Sequence, residues 1–198
     1  MALATLSACA GFCHLNTYGL TLAAAFLFYV ATVNALVSAL FAARVGMRII
    51  GKTEDGTIPF WSYFFFFGFH FPTLLYTWVH TQLGKKAANP VPVATQIIDG
   101  WWLGGRYGSE LNIGLWGIVV DLTVEFPEEL VVADSGNYVL IRCWDGVPPL
   151  PSQLEIAAQK CAAYLSKSTS GDTLPIMIHC AHGRGRSTCT MCACLVRR

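Results

Sequence analysis

The sequence predicts an α/β fold, a central sheet flanked by helices, preceded by a two-helix transmembrane hairpin. Three observations predict it. Between residues 96 and 198, short apolar runs alternate with helix-length segments. One of these runs leads into Ile178-His179-Cys180-Ala181-His182-Gly183-Arg184-Gly185-Arg186-Ser187, a glycine-bearing loop with a cysteine and an arginine at its ends. Upstream lie two long apolar stretches, which raise the hydrophobic content to 54% and the mean hydropathy to +0.49.

Residues 1–84 read as a membrane region. The segment 18–43 carries no charge, and that length crosses a hydrocarbon core of about 30 Å. The segment 59–83 is charge-free apart from His70 and His80, and Trp61, Tyr63, Tyr76 and Trp78 near its ends suit the two membrane interfaces. Pro72 is a candidate kink that neighbouring groups can tolerate in a bilayer. Arg44, Arg48, Lys52, Glu54 and Asp55 join the two helices as a charged hinge. The alternative, two buried helices of a globular domain, is disfavoured by their length. A cleaved secretory signal is disfavoured because the first seventeen residues hold no Lys or Arg.

Residues 85–95, with Pro90 and Pro92 among small residues, form a linker. In residues 96–198, Ile97 to Leu103 is a candidate strand closed by the turn Gly104-Gly105, and Trp116 to Val124 is a second. Gly136-Asn137 precedes a third, running to Arg142. Leu150 to Ser166 has the pattern of an amphipathic helix, with Ser152 as cap, Glu155 three residues on, and Leu154, Ala157, Cys161, Ala162 and Leu165 on one face. Thr173 to Ile178 is a buried strand, and Ser187 to Arg198, without Gly or Pro, is a helix. Strand, loop and helix therefore follow in the order that an anion cradle requires. Amides of Ala181, His182, Gly183, Arg184 and Gly185 can point inward, and the helix start adds its dipole. Such a nest stabilises a thiolate at Cys180.

The stretch His179-Cys180-x2-Gly183-x2-Arg186-Ser187 resembles the signature of the dual-specificity phosphatases, within the cysteine-dependent protein tyrosine phosphatase superfamily. Rhodanese-like phosphatases share Cys-x5-Arg but lack an acid loop, whereas Arg142-Cys-Trp-Asp145-Gly-Val-Pro-Pro149 supplies one here. The resemblance implies a phosphatase-like sheet and assigns catalytic roles to Cys180 as nucleophile, Arg186 as transition-state ligand, Asp145 as general acid and Ser187 as the hydroxyl that eases thiolate departure. His179 is expected to orient the cradle from beneath, and the side chains of His182 and Arg184 to face the substrate. It implies no cofactor and no metal. A zinc reading of Cys189, Cys192 and Cys194 lacks a matching second ligand pair. Cys143 is a candidate resolving thiol for Cys180 or simply a packed strand residue. Family domains continue through further helices after the signature, so the domain is expected to be C-terminally incomplete, with a face for a partner to cover.

The functional expectation is a membrane-tethered hydrolase of phosphate monoesters working through a cysteinyl-phosphate, on phosphotyrosine, phosphoserine or phosphothreonine proteins. Two alternatives stand beside it: a phospholipid phosphomonoesterase, and a catalytically inactive phosphate-binding regulatory protein. A nucleophilic thiol has to stay reduced, which places the domain on the cytosolic side of an integral membrane protein. A net charge of +1 without a basic run excludes nucleic acid as a partner.

Overall fold

The computed structural model describes residues 2–112, 116–128, 137–167 and 174–197. It is mixed α/β. Helices α1 (Ala2–Tyr18), α2 (Leu22–Ala43), α3 (Phe60–Phe65) and α4 (Phe67–Lys85) come first. Strands β1 (Ala94–Ile98) and β2 (Trp101–Gly104), a 3-10 turn (Arg106–Asn112), β3 (Ile118–Asp121) and β4 (Tyr138–Leu140) follow, then α5 (Pro151–Lys167), β5 (Ile176–His179) and α6 (Arg186–Arg197).

The five-stranded sheet runs in the order β1-β2-β5-β3-β4, parallel except for the antiparallel pair β1–β2. The central strand β5 is buried at every position, as a parallel strand covered on both faces requires. Ile176 and Ile178 face α5 and α6 through Ala157, Cys161, Met191 and Cys194, while Met177 turns to the other face with Ala94, Trp116 and Val119. Pro151 opens α5, where a missing N–H costs nothing. The side chain of Gln153, not Ser152, accepts the Leu150 amide proton at 2.9 Å.

The stretch expected as one strand from Ile97 to Leu103 is a hairpin instead. Asp99-Gly100 turns the chain, with Gly100 at φ +74°, and Ile98 faces Trp101 across it. Asp-Gly between apolar residues is a strong short-range hairpin signal. Gly136 and Thr173, expected beside the third strand and the strand before Cys180, lie outside the described residues.

The N-terminal region departs from the expected two-helix hairpin. Among the described residues one helix, α2, is long and apolar enough to cross a membrane. The second apolar stretch breaks at Phe66 (φ −116°, ψ 25°) into α3 and α4. Residues 2–18 form a helix, α1, packed along α2 where Gly11 lies against Leu27 and Phe28. The charged hinge does not project away. Lys52 is 2% exposed, bonded to Asp121 at the carboxyl end of β3, and its Nζ donates to Thr123 O at 3.1 Å. Trp144 Nε1 donates to Val45 O at 2.8 Å, and Val33, Val37, Ile50 and Ile58 share one core with Val124, Cys143 and Val147. The segment after α2 is thus part of the layer that carries the signature loop. Burying Ile50 and Ile58 there removes apolar surface from water, and Asp121 gives Lys52 a charge partner.

Candidate active site

Cys180 follows β5 directly, and α6 begins at Arg186. Between them Gly183 takes φ +73°, and a Cβ there would sit 2.7 Å from the Gly104 carbonyl carbon. Both the left-handed backbone and the close approach demand glycine. Ser187, fully buried, places Oγ 3.2 Å from Cys180 Sγ. Burial raises the Cys180 pKa, but the Arg186 charge, the Ser187 hydroxyl and amide, and the His182 amide outweigh it. The thiol sits below its ordinary value, as a nucleophilic cysteine requires.

Arg186 is 3% exposed and held from several sides. Its Nη1 donates to Leu122 O at 2.8 Å and Cys143 O at 2.7 Å. Glu125 takes the fork: Nη2 donates to Oε1 at 2.6 Å and Nη1 to Oε2 at 3.2 Å. Nη2 also donates to Asp145 Oδ1 at 2.9 Å, whereas the buried Nε has no protein partner. Burial works against the charged guanidinium, yet Glu125 and Asp145 together hold its pKa above the ordinary value. The Nε proton and the one given to Asp145 remain for an incoming anion; Asp145 occupies half of that position. Its side chain is 62% exposed, with Oδ1 held by Arg186 Nη2 and by the Gly146 amide at 3.1 Å.

Glu125 was not expected from the sequence. The signal that points to it is its place just past the carboxyl end of β3, where doubly wound sheets gather ligand groups. Its Oε2 also accepts the Val124 amide at 2.9 Å, which fixes the carboxylate before it meets Arg186.

Beneath the loop, His179 is buried with Nε2 3.0 Å from Glu128 Oε2. Burial disfavours its charged form, but Asp121 and Glu128 raise its pKa overall. Asp121, Glu128 and His179 lie close enough to share one metal ion. Lys52, however, already supplies the cation on Asp121, Tyr138 OH donates to Asp121 Oδ2 at 2.7 Å, and Ser109 Oγ donates to Glu128 Oε1 at 2.7 Å. The cluster reads as a structural network beneath the loop in which Asp121 and Glu128 are engaged, while among the described residues neither buried ring nitrogen of His179 has a well-aligned hydrogen-bond partner and Nε2 meets Glu128 only as a charge neighbour. Cys189 and Cys192 are exposed, and Cys194 interacts with Cys161, away from these groups.

Cys143 donates through Sγ to Val147 O at 3.1 Å, and burial chiefly pushes its thiol up to about 11. These contacts favour the packed-residue reading over the resolving thiol. The His182 ring stands edge-on to His80 at 4.7 Å and to Tyr76 at 5.8 Å. Desolvation, then the His80 charge, lowers its pKa. Helix α4 therefore crosses beside the signature loop and holds His182, while Arg184 lies on the neighbouring small cleft with His80 and Arg106.

The arrangement brings Cys180, Arg186, Ser187 and Asp145 together, with the amides of His182 and Ser187 directed at the thiol. A lowered thiol beside a fixed guanidinium and an exposed carboxylate can attack an electrophilic centre that carries several oxygens. Compared with protein-family models and with curated proteins, the chain matches none.

Proposed function

We propose that the chain is a membrane-associated, cysteine-dependent phosphomonoesterase of the dual-specificity type. The observation that carries this reading is the lowered Cys180 thiol, 3.2 Å from the Ser187 hydroxyl, with Arg186 and Asp145 linked at 2.9 Å beside it. A phosphate dianion entering the loop takes the Arg186 protons now shared with Asp145 and releases that carboxylate toward the leaving-group side. Once off Arg186, the exposed Asp145 carboxylate takes up a proton from solvent; Cys180 then attacks phosphorus in line as the ester P–O bond breaks, and Asp145 gives that proton to the departing oxygen. The cysteinyl-phosphate is hydrolysed when Asp145 takes a proton from water, the water oxygen bonds to phosphorus and the S–P bond breaks. Ser187 stabilises the returning thiolate.

Membrane attachment rests on α2, whose Leu22, Phe26 and Leu36 are exposed, joined by the apolar outer faces of α1, α3 and α4. The thiol chemistry favours a cytosolic site. The test uses the full chain in detergent, because Lys52 and Ile50 complete the layer under the site. Hydrolysis of an aryl phosphate is expected, and Cys180→Ser should abolish it while retaining vanadate or phosphate binding. Turnover by the serine variant equal to that of the native chain would reject the thiolate mechanism.

A further inference from the structure

The groove beside Asp145 has the chemistry of a lipid site. Its walls are Leu3 of α1, Val37 and Phe41 of α2, and Phe69, Pro72 and Tyr76 of α4, enclosing about 470 Å³, the size range of small-ligand pockets. Its floor is Trp144, Glu125 and Asp145. The groove ends at the Asp145 carboxylate, whose Oδ1 accepts from Arg186 Nη2 at 2.9 Å, so the guanidinium lies just behind its floor. Two of the polar side chains in the wall are already engaged: Asn34 Nδ2 donates to Gly68 O at 2.7 Å and Val30 O at 2.9 Å, and Thr73 Oγ1 donates to Phe69 O at 2.7 Å. No lysine or arginine lines it. What faces an occupant is therefore mainly hydrocarbon, leading to an anion site.

We infer that this groove receives an acyl chain, so that the substrate is a membrane phospholipid bearing a terminal phosphate monoester, with its headgroup at Cys180 and Arg186. The inference rests on the phosphomonoesterase reading above and deepens it. Two further observations favour a lipid over a phosphoprotein. The helices that wall the groove also expose Phe26, Phe67 and Phe71 on faces turned away from it, at 50%, 46% and 53%, a surface suited to the bilayer that would supply such a lipid. On the other flank α4 lies against the signature loop through His80 and His182, and Cys180 is only 3% exposed. A folded protein surface approaching from that flank meets α4 first, whereas the groove between α2 and α4 leads a single chain to Asp145, the residue next to Arg186.

The test compares substrates on the full chain. Alkyl phosphates of increasing length should show kcat/KM rising about three- to fourfold per methylene until the groove is filled. Phosphatidic acid in phosphatidylcholine vesicles should then be hydrolysed with a higher kcat/KM than a phosphotyrosyl peptide. Thr73→Trp, which fills the groove, should lower the ratio of long-chain to aryl phosphate kcat/KM at least tenfold. Val37→Phe should shift the same ratio in the same direction should the tryptophan variant misfold. A flat chain-length series with aryl phosphate turnover intact overturns the lipid inference alone, as does a phosphopeptide preferred over the vesicles. Absence of turnover on every substrate overturns both this inference and the phosphomonoesterase reading.

Discussion

The two halves of the site are assembled in different ways. The thiolate half comes from one contiguous stretch: β5, the glycine loop and the first turn of α6, with Ser187 seven residues from Cys180 and already in contact with it. The acid half is gathered from distant segments. Arg186 meets Leu122 and Glu125 after β3, and Cys143 and Asp145 after β4. The loop after α2 then packs beneath them through Ile50, Val45 and Lys52. Local geometry can preserve the first half after the surrounding packing loosens. The second has no such protection, because each contact crosses a large sequence separation.

Lys52→Ala tests this dependence with the largest expected effect on stability. It strips the cation from a fully buried Asp121, and removing one member of a buried pair costs about 3–5 kcal/mol. Burial raises the Asp121 pKa, but Lys52, His179 and Tyr138 outweigh it and hold the carboxyl below the ordinary range. Its stabilising contribution is therefore complete above the unfolded value and is lost as pH falls through the folded one. Thermal unfolding in detergent should show a lower midpoint for the variant and a weaker loss of stability on acidification. A native midpoint would mean that the 45–58 segment does not hold the acid half in place.

Glu125→Gln addresses the guanidinium itself. The amide keeps the volume but offers a single acceptor oxygen, so the two-point hold on Arg186 is broken. The expectation is a fall in kcat of about 10- to 100-fold on aryl phosphate, since misplacement of a transition-state ligand by about an ångström costs on that order. Unchanged kcat would show that the backbone carbonyls of Leu122 and Cys143 suffice to orient Arg186.

What was legible in the sequence follows the same division. Cys180, Arg186 and Ser187 stood out because they fill every position of one contiguous phosphatase-like signature, and Asp145 because the Asp-Gly-Val-Pro-Pro stretch resembles that family's acid loop. The buried β5 was legible as a short apolar run, α5 from its amphipathic period, and α6 as a stretch without Gly or Pro. Glu125 and Lys52 were not. Each looks like an ordinary surface charge until folding brings Glu125 to Arg186 and Lys52 to Asp121. The same holds for α4, whose apolar composition suits a bilayer, yet Phe69 and Trp144 meet at 6.3 Å and His80 reaches the signature loop. Hydropathy reports what a helix avoids, not which partner covers it. Asp99-Gly100 is a different case, since the hairpin signal was present and the neighbouring Gly104-Gly105 drew the turn instead.

Asp145→Asn separates the two roles of this carboxylate. Turnover of an alkyl phosphate, whose leaving oxygen needs a proton, should fall by about 10²- to 10⁴-fold, and that of an activated aryl phosphate much less. Phosphate or vanadate should bind more tightly, because the competing negative charge on Arg186 is gone. Equal losses on both substrates, with binding unchanged, would reduce Asp145 to a turn residue.

Ser187→Ala is the mildest probe and bears on the contiguous half. Its hydroxyl is one of the groups that offset the burial of the Cys180 thiol and keep its pKa low. Without it the pKa rises, so less thiolate is present at a given acidic pH. The acidic limb of kcat/KM should move to higher pH while the plateau above it changes little, because attack there is already by thiolate. Hydrolysis of the cysteinyl-phosphate should slow, since the departing sulfur loses its hydrogen-bond donor, and an initial burst of aryl alcohol ahead of the steady rate would register this. An unmoved acidic limb would leave Arg186 and the loop amides as the source of the lowered thiol, making even the contiguous half dependent on the distant contacts that hold Arg186.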